Sequence, residues 1–311
     1  QGRHQGTTSS FVRARRLMVL NLLFPMVLAV VAAFGAARMQ RRLRPDWATW
    51  TLTVLSGGAA LAVLWALMAL ATGFAAEQPG LARGFGWCDV VFSSHDRVPA
   101  PVGIGAWAAL LASAVSVAIR LHRRREVMRM THEQVAGSSE PVAFAVPGRP
   151  GRVVVSKGML ETLDSAERRV VYAHEHSHLR RHHHRFLHVA DAAAAAVPLL
   201  EPLNRQVRFA TERWADEDAV VEVGDRQLVA RAVARAALAS SASGVHPTPL
   251  GINGSGARAR VEALMLPPGG VTAATLAWGS LGMVGLAVSV AGTTVQFHHL
   301  VAFVFHICGL H

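Results

Sequence analysis

Four stretches of this chain, 17–37, 47–76, 98–119 and 271–291, run without a single charged side chain, which removes most of the folds open to a water-soluble protein. Each can cross a hydrocarbon core as a helix, which takes about 20 apolar residues at 1.5 Å apiece. In lipid the backbone must satisfy its own hydrogen bonds, so helices are the form these stretches take, Pro25 in the first notwithstanding. Trp47 and Trp50 open the second, where aromatic side chains gather at a membrane surface. Composition agrees: 51% of the 311 residues are hydrophobic and 16% charged, against about 25% charged in an average soluble domain. An uncleaved signal segment is a second reading of 17–37, although the stretch is long for one and ends without an obvious small-residue cleavage site. The expectation is a mainly α, polytopic membrane protein with about four transmembrane helices.

Basic residues orient the spans. Arg38, Arg41, Arg42 and Arg44 follow the first, and Arg120, Arg123, Arg124, Arg125 and Arg129 follow the third. Two spans separate these groups, so they share a side, which the positive-inside rule makes the cytoplasm. Arg3, Arg13, Arg15 and Arg16 argue the other way, and weigh less in a chain that begins with Gln rather than Met. The formal net charge of +11 invites a nucleic-acid reading. Much of that excess flanks spans, no phosphate-cradling Gly loop occurs, and direct nucleic-acid binding is not expected.

The division that follows is 1–121, a membrane domain with three spans; 122–268, a cytoplasmic α+β domain inserted between the third and fourth spans; and 269–311, the fourth span with a short extracytoplasmic tail. Within the middle part, 141–146 and 152–156 read as two strands joined by PGRPG. They either present an edge to an extended substrate or merely cap the helices. Further on, 170–186 reads VVYAHEHSHLRRHHHRF and holds a His-Glu-x-x-His. Residues four apart on a helix share a face, so His174 and His178 can turn two imidazoles toward one cation, with Glu175 beside them. This is a zinc-peptidase arrangement, and Glu175 is the candidate base. A helix start at Ser165-Ala166-Glu167 and the apolar Val170, Val171 and Ala173 place the motif on a buried helix. A third ligand is expected from a second helix. TERWADEDAV supplies Glu212, with Asp216 one turn on to orient a ligand His. The competing reading makes Glu212, Asp216 and Glu217 the solvated side of an amphipathic helix. His182, His183 and His184, amid Arg180, Arg181 and Arg185, read as a basic face rather than as further ligands.

The strand VVVSKGML, the metal helix VVYAHEHSHLRRHHH and the ligand helix ERWADEDAV, set between three spans and a fourth, resemble the BlaR and MecR antirepressor family of membrane metallopeptidases, and more distantly the HtpX-type peptidases. The resemblance implies a gluzincin-type zinc peptidase in a bacterial plasma membrane, with His174, His178 and Glu212 as Zn2+ ligands and Glu175 as base. It implies a protein substrate such as a BlaI/MecI-type repressor. BlaR and MecR carry a large extracellular penicillin-binding domain after the last span; only a short tail follows it here, so direct β-lactam sensing is not expected. Membrane-protein quality control, as in HtpX-type enzymes, is an alternative role, and a metal-dependent sensor or scaffold that does not cut is another. His246-Pro247 and Arg260-Val261 loosely resemble a pair in HtpX-type peptidases, which makes His246 and Arg260 candidates for stabilising the transition state. Tyr172, the only Tyr, points elsewhere on its helix. Cys88 and Cys308 both fall outside in this topology, where they can pair as a disulfide or bind a soft metal with nearby His. Incidental placement in a short interfacial segment is the competing reading for Cys308.

Overall fold

The computed structural model describes residues 44–76, 98–134, 137–242 and 254–266, with a few single positions elsewhere. Two long helices come first: α1 (Pro45–Ala76) and α2 (Ala100–Gln134). Both are long and apolar enough to cross a membrane, over 45–75 and 100–126. They coincide with the second and third uncharged stretches, and α2 runs on past its first arginines. The first and fourth stretches, 17–37 and 271–291, lie outside the described residues apart from single positions, as do Cys88, His246 and Cys308.

A hairpin of β1 (Ala143–Val146) and β2 (Arg152–Val155) follows, antiparallel, with Ala143 opposite Val155 and Val146 opposite Arg152. Six helices complete the described chain: α3 (Lys157–Thr162), α4 (Ser165–Arg180), α5 (His183–Ala196), α6 (Glu201–Val223), α7 (Arg226–Ala242) and α8 (Gly254–Leu264). Pro198 opens a 3-10 turn between α5 and α6, and Pro202 sits in the first turn of α6, where its missing N–H costs nothing. Gly224 ends α6 at φ 79, a left-handed cap that a residue with a Cβ adopts only under strain.

Three apolar cores hold these elements. The largest joins α1 to the α5–α6 hairpin: Ala48, Leu52, Leu55, Ala59 and Val63 meet Phe186, Leu187, Ala190, Ala193, Leu200 and Val207. Alanines at so many of these positions let helix backbones approach closely, and each buried Leu there is worth about 2–5 kcal/mol against Ala. A second core sets Val170 and Ala173 of α4 against Ala219 of α6, Val229 and Val233 of α7 and Leu264 of α8. The third, smaller, places Ala143 of β1 over Met159, Leu163, Val171 and Ala236. One helix, α4, thus has a side in two cores, and its remaining buried face carries the histidines.

Candidate metal centre

The motif helix is fixed at both ends before any ligand is considered. At its start the Asp164 carboxylate accepts the Glu167 backbone N–H at 2.9 Å while the Glu167 carboxylate accepts the Asp164 N–H at 3.1 Å, a capping box that satisfies two otherwise orphaned donors. The cap is therefore Asp164, one residue before the expected start. Glu167 is fully buried and also accepts Arg235 Nη1 of α7 at 2.7 Å. At the other end Ser177 Oγ donates to Asp218 Oδ2 of α6 at 2.7 Å, and Arg181 Nε donates to the same oxygen at 2.9 Å. These contacts set α4 against α6 in a fixed register.

That register brings His174, His178 and Glu212 together, with one ligand atom from each within 4.8 Å of the others. The two Nε2 atoms are 3.2 Å apart. Glu212 Oε2 lies 3.5 Å from His174 Nε2, and Oε1 lies 3.6 Å from His178 Nε2. Ligands about 2.0–2.1 Å from a tetrahedral zinc stand about 3.3 Å from one another, so this donor set fits such an ion in spacing as well as in chemistry. Both His are buried and Glu212 is mostly so.

Glu175, on the same helix, is fully buried, and neither carboxylate oxygen has a hydrogen-bond partner. Such a group is costly to leave unsatisfied, and no protein side chain satisfies it here. Burial pushes its pKa up to about 7. The Ala145 amide of β1 pulls weakly the other way without completing a hydrogen bond.

Asp216 and Arg260 hold the ligands from behind. Asp216 Oδ1 is 3.0 Å from His174 Nδ1, the ring nitrogen turned away from Glu212. Arg260, from α8, gives Nε and Nη2 to the two Asp216 oxygens at 2.8 and 2.6 Å and Nη1 to Glu212 Oε2 at 2.9 Å. It is 2% exposed, the largest of the fully buried side chains, so its charge is compensated entirely from within. Burial alone would lower His174, but the carboxylates of Asp216 and Glu212 outweigh it and lift the value to about 10. Burial lowers His178 to about 4. For Glu212 burial acts upward, and Arg260 with the two His overcomes it, holding the carboxyl near 2. Asp216 is held well below the usual range in the same way.

The structure corrects one sequence reading. His183 is not part of a basic surface: it is fully buried, with Nδ1 3.0 Å from His178 Nδ1. For Nε2 of His178 to serve a cation, its Nδ1 must carry the hydrogen, and His183 is placed to accept it. His182 makes this possible by adopting left-handed φ 53 and ψ 40 between α4 and α5, which turns the next side chain back toward the motif. The signal was present in the sequence. His183, Phe186, Leu187, Ala190 and Ala193 recur at helical spacing, and all are buried. His182, by contrast, is exposed and His184 partly so. Tyr172 is exposed, on the side of α4 away from the ligands.

Residues 111–236 match the model of peptidase family M48. The match supports a metallopeptidase of that family. It runs from within α2 into α7 and contains His174, Glu175, His178, His183, Glu212 and Asp216; α1 and Arg260 of α8 lie outside it. No curated protein and no solved structure matches the chain.

Proposed function

We propose that the protein is an integral-membrane zinc endopeptidase whose base is Glu175. The observation that carries this reading is the buried, unpartnered Glu175 carboxylate beside three converging ligand atoms. A zinc ion held by His174, His178 and Glu212 supplies Lewis acidity, polarising a carbonyl and lowering the pKa of a water. Glu175, titrating near 7, takes a proton from the attacking water and later delivers it to the leaving amine. Asp216 fixes the tautomer of His174, and His183 does the same for His178. Arg260 spends three N–H groups on Glu212 and Asp216, so its part is to hold the ligand carboxylate in place rather than to meet the substrate carbonyl.

The hairpin gives the substrate a place to lie. Ser156 N–H donates to the Val142 carbonyl at 2.9 Å, so by antiparallel alternation Phe144 pairs with Val154 and Val146 with Arg152. Ala143 and Ala145 then turn their N–H and C=O groups to the opposite edge, beside Glu175. An extended peptide added there has its carbonyls passing the metal site.

The helices α1 and α2 support a membrane setting. The resemblance to BlaR and MecR supports a place in the bacterial plasma membrane, a catalytic domain on the cytoplasmic side and a role in signalling through cleavage of a BlaI/MecI-type repressor. Purified full-length protein in detergent tests the activity: wild type cleaves an unfolded protein such as casein, chelation stops it, and Glu175→Gln retains zinc without cleaving. Equal cleavage by Glu175→Gln would end the assignment. Comparing cells that carry wild type and Glu175→Gln tests the role. A repressor that persists intact supports signalling, and accumulation of damaged membrane proteins points to quality control instead.

A further inference from the structure

A second charged cluster lies apart from the metal centre, where α2, α5 and α6 meet. A cavity of about 210 Å3 opens there, lined by Arg120, Arg123, Arg124, His188, Asp191 and Arg208 among others. Its walls hold four guanidinium groups and one carboxylate. That carboxylate is already saturated. Arg208 Nη2 reaches both Asp191 oxygens at 2.6 and 2.7 Å, Arg124 Nη1 donates at 3.2 Å, and Asn204 Nδ2 at 3.1 Å. Arg120 stands farther off, 3.6 Å from Asp191 and 3.7 Å from Glu201 at the rim. Arg123 has no acidic partner among the described residues. Asp191 in the wall and Glu201 at the rim do not neutralise four Arg, so the cavity keeps a net positive charge.

Its position narrows the ligand. Arg120 is the first charge after the uncharged stretch of α2, so the cavity stands where the apolar part of that helix gives way to its basic part, with Val117 and Leu121 forming part of its wall. If α2 spans a membrane, this is the level of the lipid headgroups. At about 210 Å3 the cavity is smaller than the roughly 300 Å3 at which small-molecule pockets begin. It has room for a headgroup, with acyl chains left along α2. Forked guanidiniums suit phosphate oxygens in geometry as well as charge.

We infer that this cavity binds a phosphate-bearing anion, presented by an anionic phospholipid seated between α2, α5 and α6. The inference goes beyond the peptidase activity proposed above but rests on the membrane setting proposed with it. The site works as a clamp: the phosphate is held by Arg120 and Arg123 of α2, beside the Arg208–Asp191 pair that ties this wall to α6, the helix that also carries Glu212.

Native mass spectrometry of the full chain, purified in detergent and offered phosphatidylglycerol or phosphatidylcholine, tests it. Phosphatidylglycerol is expected to be retained and phosphatidylcholine lost, and Arg120→Ala/Arg123→Ala is expected to weaken retention by at least about tenfold, the scale of losing charge-assisted hydrogen bonds. Both side chains are exposed, and Arg120 reaches Asp191 and Glu201 only at 3.6 and 3.7 Å; Arg169→Ala, which removes an exposed charge elsewhere, serves as the control. Displacement of the lipid by millimolar inorganic phosphate, lost in the same double variant, would assign the same chemistry to a free phosphate. Equal retention of both lipids, or binding by the double variant equal to wild type, overturns the site.

Discussion

The metal centre and the basic cavity are built on the same helix with the charges exchanged. Around Glu212 and Asp216 of α6, one permanently charged group, Arg260, faces two carboxylates together with His174, and a third carboxyl, Glu175, lies close by. Around Arg208 of the same helix, one carboxylate, Asp191, faces several arginines. In the first, the minority charge is completely enclosed and the spare lone pairs converge on a point a cation can occupy. In the second, the minority charge is saturated and the spare donors open into a cavity. The lesson is that the excess, rather than the pairing, predicts the ligand: structural pairs cancel, and what remains uncancelled faces the guest.

The sharpest break of that comparison is at Glu175. Changing it to Gln keeps size and packing, and turnover should fall by about 10²–10⁴-fold with zinc content unchanged; loss of zinc together with activity would make Glu175 a structural residue. Next comes stability. Arg260→Met strands two buried carboxylates and should cost about 3–5 kcal/mol in urea unfolding, measured in detergent. Asp191→Asn removes a partner from groups closer to solvent and should cost about 1–3 kcal/mol. A larger loss at Asp191 would reverse the ranking drawn here. His183→Ala should weaken zinc binding about 10–100-fold while leaving the helix formed, read by competition with a chelating dye.

The smallest effect is in protons. His174 sits at about 10 against an ordinary 6.5, so in the metal-free chain its contribution is complete below 6.5 and is lost as pH rises through about 10. Glu212, at about 2 against 4.5, contributes above 4.5 and loses that contribution as pH falls through about 2. Zinc must displace the His174 proton to use Nε2. Titrating zinc into chelated protein at pH 8 should therefore release about one proton per chain, seen as a buffer-dependent heat. Release of none would mean that Asp216 and Glu212 do not hold His174 charged.

Much of this was legible in advance, for reasons that differ by element. Long uncharged runs announce α1 and α2 because lipid and length leave few options. The spacing of His174, Glu175 and His178 is a one-turn pattern, so the helix that displays it could be read directly. Glu212 and Asp216 share that periodicity on α6, and only tertiary structure separates ligands from a solvated acidic face: Glu217 of the same run pairs with Arg226, away from the site. Arg260 was reachable only as a loose resemblance, because nothing local to α8 says that its guanidinium turns inward. The run of His and Arg around His183 reads as surface, whereas the left-handed backbone of His182 turns His183 inward.

The core that α1 shares with the α5–α6 hairpin bears on how the chain assembles. Leu52, Leu55 and Val63 form one wall of the space that Leu187, Leu200 and Leu203 fill. Until that wall is present, the apolar side of the α5–α6 hairpin has no cover, even though the Asp218 contacts to Ser177 and Arg181 already hold α6 against α4. The helix pair that carries the candidate ligands can therefore take its register from α4 alone, and α1 closes over it from another side.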